Sequence, residues 1–216
     1  MRAYLFDLDG TIAANEVLKA RALAQACATY GAKADHSIYA DVMGEDWPTV
    51  TGHFLKAYDL RPALDGFNDR FRGFYLDFIE TEIFETDGAR QFILETRTSG
   101  IKTGVVSSAA TWMVETVLAK LGLQDSFDVI ITQDHVAHHK PDPQAYLLAL
   151  SQLQVSARDT LVFEDSSAGM RAANAAGCDC VIVRHAFNRK HDFSDAVREI
   201  ESFSEILGAA AKGWHS

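Results

Sequence analysis

Apolar and β-branched residues fall into five short runs, over residues 4–8, 103–107, 129–132, 160–163 and 180–183. Each runs apolar without clean alternation, the pattern of a strand covered on both faces. Helical periodicity fills the gaps between the later runs. Ala89, Phe92, Ile93 and Thr96 share one helical face ahead of the second run. A helix from Ala110 to Gly122 follows that run, with Ser108 expected as its N-cap and Gly122 as its left-handed end. Asp142 and Pro143 open the next helix, whose expected buried stripe is Tyr146, Leu147, Leu150 and Leu153. Ser166 is expected to cap a helix that runs through Ala176 and closes at Gly177. Strand and helix in alternation predict an α/β fold, a Rossmann-like, doubly wound parallel sheet wrapped by helices.

Residues 14–84 break the alternation, because they carry helical patterns only. Val17, Ala20, Ala24 and Cys27 lie on one face, and Phe67, Phe71, Phe74 and Phe78 form a later stripe. A crossover between parallel strands needs roughly a dozen residues, so this interval predicts an inserted α-helical cap domain above the C-terminal edge of the sheet. Residues 1–13 and 85–216 are then the core domain. The tail after Gly208 is expected to fray.

Composition narrows the function classes. Hydrophobic residues make up 48% of the 216, ample for a core. The net charge is -10 with no block of Lys or Arg, which argues against a nucleic-acid or anionic-membrane surface. No apolar stretch approaches the roughly 18 residues of a membrane span, and Met1 leads straight into a strand-like run rather than a signal peptide. A cytoplasmic location is expected, with Cys27, Cys178 and Cys180 as buried small hydrophobes in a reducing compartment.

In a doubly wound sheet, ligands bind beyond the carboxyl ends of the strands, so the residues that follow each strand matter most. After the first come Asp7, Asp9, Gly10 and Thr11; after the second, Ser107 and Ser108; beyond the third, Lys140 and Pro141; after the fourth, Glu164 and Asp165. Two carboxylates as close as Asp7 and Asp9 repel each other unless a cation or a shared proton holds them.

The four segments LFDLDGT, VVSSAA, HHKPDP and VFEDSSAG, in this order and each after an expected strand, resemble the haloacid dehalogenase-like superfamily, in its phosphatase and phosphomutase branch with an α-helical cap. The resemblance implies that Asp7 is the nucleophile and Asp9 the general acid/base. It further implies that Mg²⁺ is held by Asp7, Asp165 and the main-chain carbonyl of Asp9, with Glu164 binding directly or through water. Gly10, Ser107, Ser108 and Lys140 are implied around the phosphoryl group. Relatives that attack carbon lack the second aspartate, so Asp9 points to phosphoryl transfer.

The expected activity is hydrolysis of a small phosphorylated metabolite, a sugar phosphate or a phosphoglycolate-like acid, through an aspartyl-phosphate. A β-phosphoglucomutase-like phosphomutase is the alternative. Mutase relatives carry a phosphate-gripping arginine after a cap glycine; here Gly44 is followed by Glu45, Asp46 and Trp47, which favours hydrolysis. Relatives also carry an acid and a small hydroxyl where this chain has Ala14 and Asn15, a departure at the border of the cap hinge that is expected to alter cap movement or substrate choice and leave the chemistry untouched. His135, His138 and His139 read as a polar rim loop. Trp47, His53 and Lys19 are the weaker candidates to face the substrate.

Overall fold

The sheet is built from β1 (Ala3–Phe6), β2 (Lys102–Val106), β3 (Val129–Ile131), β4 (Thr160–Glu164), β5 (Asp179–Val183) and β6 (Arg198–Ile200). All pairings are parallel, in the order β3-β2-β1-β4-β5-β6. These elements come from a computed structural model that describes residues 1–208; the tail expected to fray lies outside the described residues. β1 sits between β2 and β4, with Phe6 opposite both Val105 and Phe163. Strand order reverses at β1, so its carboxyl end opens onto the crevice where such sheets bind ligands.

Seven helices join the strands among the described residues: α1 (Glu16–Ala28), α2 (Trp47–Ala57), α3 (Leu64–Glu82), α4 (Ala89–Thr98), α5 (Thr111–Leu121), α6 (Gln144–Leu153) and α7 (Ser167–Ala175). β1 shows why its residues are apolar throughout. Tyr4 and Phe6 face one side, where Phe6 stacks on Phe163 at 5.0 Å between ring centroids and Phe92 and Phe203 close the cluster. Ala3 and Leu5 face the other side, packed with residues of α6 and α7. Both faces are dry, and every residue of β1 is buried.

The five expected strands are present within two residues of their predicted ends. The sixth, β6, was not expected: it has three residues, and Arg198 and Glu199 are exposed, so it shows no apolar run. Three helix details also differ. Ser108 does not cap α5; Ala110 holds that position, and the first free N–H, that of Thr111, donates to Asp134 Oδ2 at 2.8 Å. Leu147 is exposed, because α6 turns its small residues Ala145 and Ala149 toward the core beside Tyr146, Leu150 and Leu153. In α3 the buried residues step by four, Phe67, Phe71, Tyr75 and Ile79, which leaves Phe74 and Phe78 half-buried. Ser166 caps α7 as expected, its Oγ accepting from Gly169 N at 3.0 Å. Asp142 accepts from the N–H of Gln144 at 2.9 Å, while α6 itself begins at Gln144, one residue later than expected, with Pro143 at the cap position.

The interval between β1 and α4 holds α1–α3 and one 3-10 helix (His36–Asp41), with no strand. Its two ends meet: Ala14 N–H donates to Phe84 O at 3.0 Å, and Thr86 N–H to Ile12 O at 2.9 Å. In α1 the buried side includes Leu18, Lys19, Ala22 and Leu23, while Val17 reaches the surface and Ala24 is half-buried, so the stripe is rotated from the expected one. No helix among the described residues is long and apolar enough to cross a membrane.

Gly104 of β2 fits closely between its neighbours in the sheet. A Cβ there would lie 2.5 Å from Val129 Cγ1 and 2.8 Å from Leu5 Cδ2. Overpacking of this kind costs about 1–3 kcal/mol. Gly104→Ala is therefore expected to lower unfolding free energy by that amount in urea titrations; equal stability would show that the sheet has slack at this point.

Candidate active site

β1 delivers Asp7 directly, since Asp7 N–H continues the ladder to Phe163 O at 2.9 Å. The chain then turns, with Leu8 O accepting from the N–H groups of Ile12 and Ala13. Gly10 takes φ +77° in this turn, and a Cβ on it would lie 2.0 Å from Asp165 Oδ2. Close approach of Asp165 thus requires glycine here, a packing reason the sequence did not reveal.

Lys140 ties the strand ends together. Its ammonium donates to Asp7 Oδ1 at 2.6 Å, Glu164 Oε1 at 2.5 Å and Val106 O at 2.9 Å, which uses its three protons. Glu164 is fully buried. Its Oε1 also accepts from Tyr146 OH at 2.7 Å, and its Oε2 from Asp165 N, Ser166 N and Ser166 Oγ. Gly169 in α7 makes room for it, since a Cβ would fall 2.0 Å from that carboxyl. Burial works against the charge of Lys140, but Asp7 and Glu164 outweigh it and raise its pKa.

Asp9 has separate partners. Asn15 Nδ2 donates to its Oδ1, and Lys19 Nζ to its Oδ2 at 2.7 Å. Lys19 Nζ also lies 3.7 Å from Glu16, and Tyr39 stands beside Glu16. Asn15, expected to leave the chemistry untouched, therefore contacts the second aspartate, while Ala14 bonds Phe84 O through its backbone.

Ser107 is buried at the cavity, its Oγ accepting from Ala109 N at 3.1 Å. Ser108 Oγ instead meets Gly44 O at 3.4 Å. Trp47 and Lys19 line the cavity, whereas His53 sits 3.9 Å from Asp41 and does not line it. In the loop before Lys140, His135 Nδ1 accepts from Thr132 N at 3.0 Å.

The buried charged side chains among the described residues all belong to this neighbourhood: Asp7, Asp9, Glu16, Glu164 and Asp165 against Lys19 and Lys140. Oxygens of Asp7, Glu164 and Asp165 lie within 4.8 Å of one another. Burial pushes the Asp7 carboxyl well above the usual range; Lys140 opposes this, and Glu164, Asp165 and Asp9 reinforce it. Burial does the same to Asp165, helped by Glu16 and Glu164 and opposed by Lys140 and Lys19. An excess of crowded, dry oxygen ligands is the donor set of a hard divalent cation. The cavity above them measures about 280 Å³, and Arg72, Trp112 and Met113 complete its wall.

Among the residues that escaped the sequence reading are Glu16, Tyr39, Tyr146 and His185, whose Nε2 lies 2.9 Å from Asp165 Oδ2. Glu16 and Lys19 did leave a signal, as charged residues one turn apart at the start of a helix with an otherwise small, apolar buried side.

Comparison with known proteins places this geometry. The family model described as haloacid dehalogenase-like hydrolase matches residues 4–183. Protein CbbY of Cereibacter sphaeroides is 33% identical, over 97% of this chain and 96% of that protein. Fructose-1-phosphate phosphatase YqaB of Escherichia coli is 32% identical, over 83% of this chain and 95% of that protein. The crystal structure of a CbbY mutant from Rhodobacter sphaeroides, in complex with xylulose-(1,5)bisphosphate, superposes with a TM-score of 0.87 at 29% identity, covering 96% of each chain. This chain is an enzyme, and it belongs to the haloacid dehalogenase-like hydrolases.

Proposed function

We propose that this hydrolase is a Mg²⁺-dependent phosphatase that cleaves a small phosphorylated sugar through an aspartyl-phosphate on Asp7. The observation that carries this reading is that Asp7 and Asp9 face one cavity with different partners: Asp7 is held by Lys140, and Asp9 by Asn15 and Lys19. One carboxylate suits attack and the other proton transfer. Residues 14–84 serve as a cap over the core formed by residues 1–13 and 85–216, since the cavity is lined from both.

Asp7 attacks phosphorus, and the P–O bond to the sugar breaks as Asp9 gives its proton to the leaving oxygen. Asp9 then takes a proton from the water that hydrolyses the aspartyl-phosphate. Ser107 donates to the phosphoryl oxygens, with Gly10 and Ser108 at the margin of that site, and Lys140, held by Asp7 and Glu164, which raise its pKa, offsets the phosphoryl charge from behind Asp7. Asp7, Asp165 and the main-chain carbonyl of Asp9 would hold Mg²⁺, with Glu164 behind them. When bound, the ion offsets the repulsion between the Asp7 carboxylate and a dianionic phosphate.

The cap side of the cavity suits a sugar. Glu16 Oε2 is buried without a hydrogen-bond partner among the described residues, and it offers an acceptor to a hydroxyl. Arg72 stands 4.4 Å from the Trp112 ring centroid and adds a cation to the wall. The relatives act in the same chemical class: YqaB is a fructose-1-phosphate phosphatase, and CbbY has been crystallised with a ketose bisphosphate. Hydrolysis is favoured over mutase chemistry because Glu45, which follows Gly44 in place of the arginine implied for mutase relatives, lines the cavity with a carboxylate. Asp46, by contrast, caps α2 through Thr49 N at 2.9 Å.

Phosphate release from p-nitrophenyl phosphate and from a panel of ketose and aldose phosphates tests the reading. Activity is expected to require Mg²⁺, to stop with EDTA and to vanish in Asp7→Asn; turnover that survives both treatments excludes this mechanism. Asp9→Asn is expected to slow single-turnover release of the sugar far more than that of p-nitrophenolate, which departs without a proton, and to slow hydrolysis of the aspartyl-phosphate for both substrates. Lys140→Met leaves Asp7 and Glu164 facing each other in a dry site. A loss of activity together with about 3–5 kcal/mol of metal-free stability is expected, read by urea unfolding in EDTA.

A further inference from the structure

Beyond β5 the chain turns back onto Asp165. His185 and the short turn Ala186–Asn188 that follows carry two side chains that reach it. His185 Nε2 lies 2.9 Å from Asp165 Oδ2. Asn188 Nδ2 donates to the main-chain oxygen of Asp165 at 2.9 Å and to Val183 O at 2.8 Å. Side chain and backbone of one residue are thus held from a single turn.

The holders are themselves fixed. His185 Nδ1 accepts from Phe187 N–H at 3.3 Å, which assigns the ring proton to Nε2 and makes that nitrogen the donor to Asp165. Asn188 Oδ1 accepts from His185 N–H at 3.0 Å, and Asn188 is fully buried. Gly10 leaves the space in which the pair meets: a Cβ there would fall 2.0 Å from Asp165 Oδ2 and 2.9 Å from His185 Nε2. The first aspartate loop, the fourth strand end and this turn converge on one carboxylate.

We propose that His185 and Asn188 form a clamp that positions Asp165 for the divalent cation, with His185 setting the affinity of the site. The inference rests on the Mg²⁺ reading above. A carboxylate free to rotate about Cβ–Cγ presents its oxygens in many directions, and a cation must order it on binding. With Oδ2 held, the plane of the group is set when the chain folds. Partners that orient a ligating group in this way typically contribute about 10–100-fold to metal affinity. His185 is a positioning residue here, acting on the ion through Asp165.

Isothermal titration of EDTA-stripped enzyme with MgCl₂ tests this without reference to turnover. His185→Ala is expected to raise the Kd for Mg²⁺ by about 10–100-fold and to shrink the Mg²⁺-induced rise in Tm. His185→Gln, whose amide can donate to the same oxygen, is expected to restore most of the affinity. A turn that serves only the fold would lower the metal-free Tm in His185→Ala and leave Kd unchanged, which overturns the proposal. Should His185→Ala not fold, His185→Asn, too short to reach Oδ2, is expected to show the same weakening, and an unchanged Kd there overturns it equally. Absence of Mg²⁺ binding by the unmodified enzyme would instead defeat the cation reading itself, and the clamp with it.

Discussion

Burying carboxylates faster than cations is the constraint on which this molecule is organised. Asp7, Asp9, Glu16, Glu164 and Asp165 are all withdrawn from water, and Lys19 and Lys140 are the only buried ammonium groups among the described residues. Desolvation alone would keep several of these acids protonated. What holds the site is a division of labour. Lys140 bridges Asp7 and Glu164, Glu164 is met by donors on both oxygens, and Asp165 is held from beyond β5. The imbalance that remains is localised where three carboxylates converge, so the negative charge becomes a binding property rather than a diffuse loss of stability.

The sheet supplies the rigidity this arrangement needs. β1 is central, paired on both sides and packed by rings on one face and helices on the other. Asp7 follows it by a continued ladder bond, so its position is inherited from the stiffest part of the chain. Gly10 and Gly169 are the matching concessions of volume, each placed where any side chain would collide with an acid. Close packing of charge has been arranged by removing carbon next to it.

How much of this could be read from the residues follows from the range of each interaction. Strands covered on both faces announce themselves as apolar runs, and the four strand-end segments carried the family resemblance with them. Ser166 capping α7 is equally local. By contrast, Lys140 meets Asp7 across 133 residues; the order of strand ends brought both to one rim, but no periodicity predicts that they pair. His185 and Asn188 sit in a loop with no apolar pattern, and their meaning depends on which strand end they fold back upon. β6 was invisible because an edge strand with exposed Arg198 and Glu199 has no buried face to advertise. Leu147 misled for the opposite reason: small residues at 145 and 149 gave α6 a closer seat on the sheet than its leucines would.

Asp9 carries a last consequence. Its donors, Asn15 and Lys19, belong to the helical interval and not to the sheet, whereas its backbone belongs to the turn after β1. The residue is therefore fastened at one end to the stiff frame and at the other to α1. Hydrogen bonds weaken steeply once they stretch by a fraction of an ångström or lose their alignment, so α1 cannot tilt far without releasing the carboxylate or dragging it along. Seen mechanically, Asp9 is a linkage rod between two bodies. Its orientation is a gauge of where the helices stand, and any molecule that wedges against α1 from inside the cavity is felt at this carboxylate.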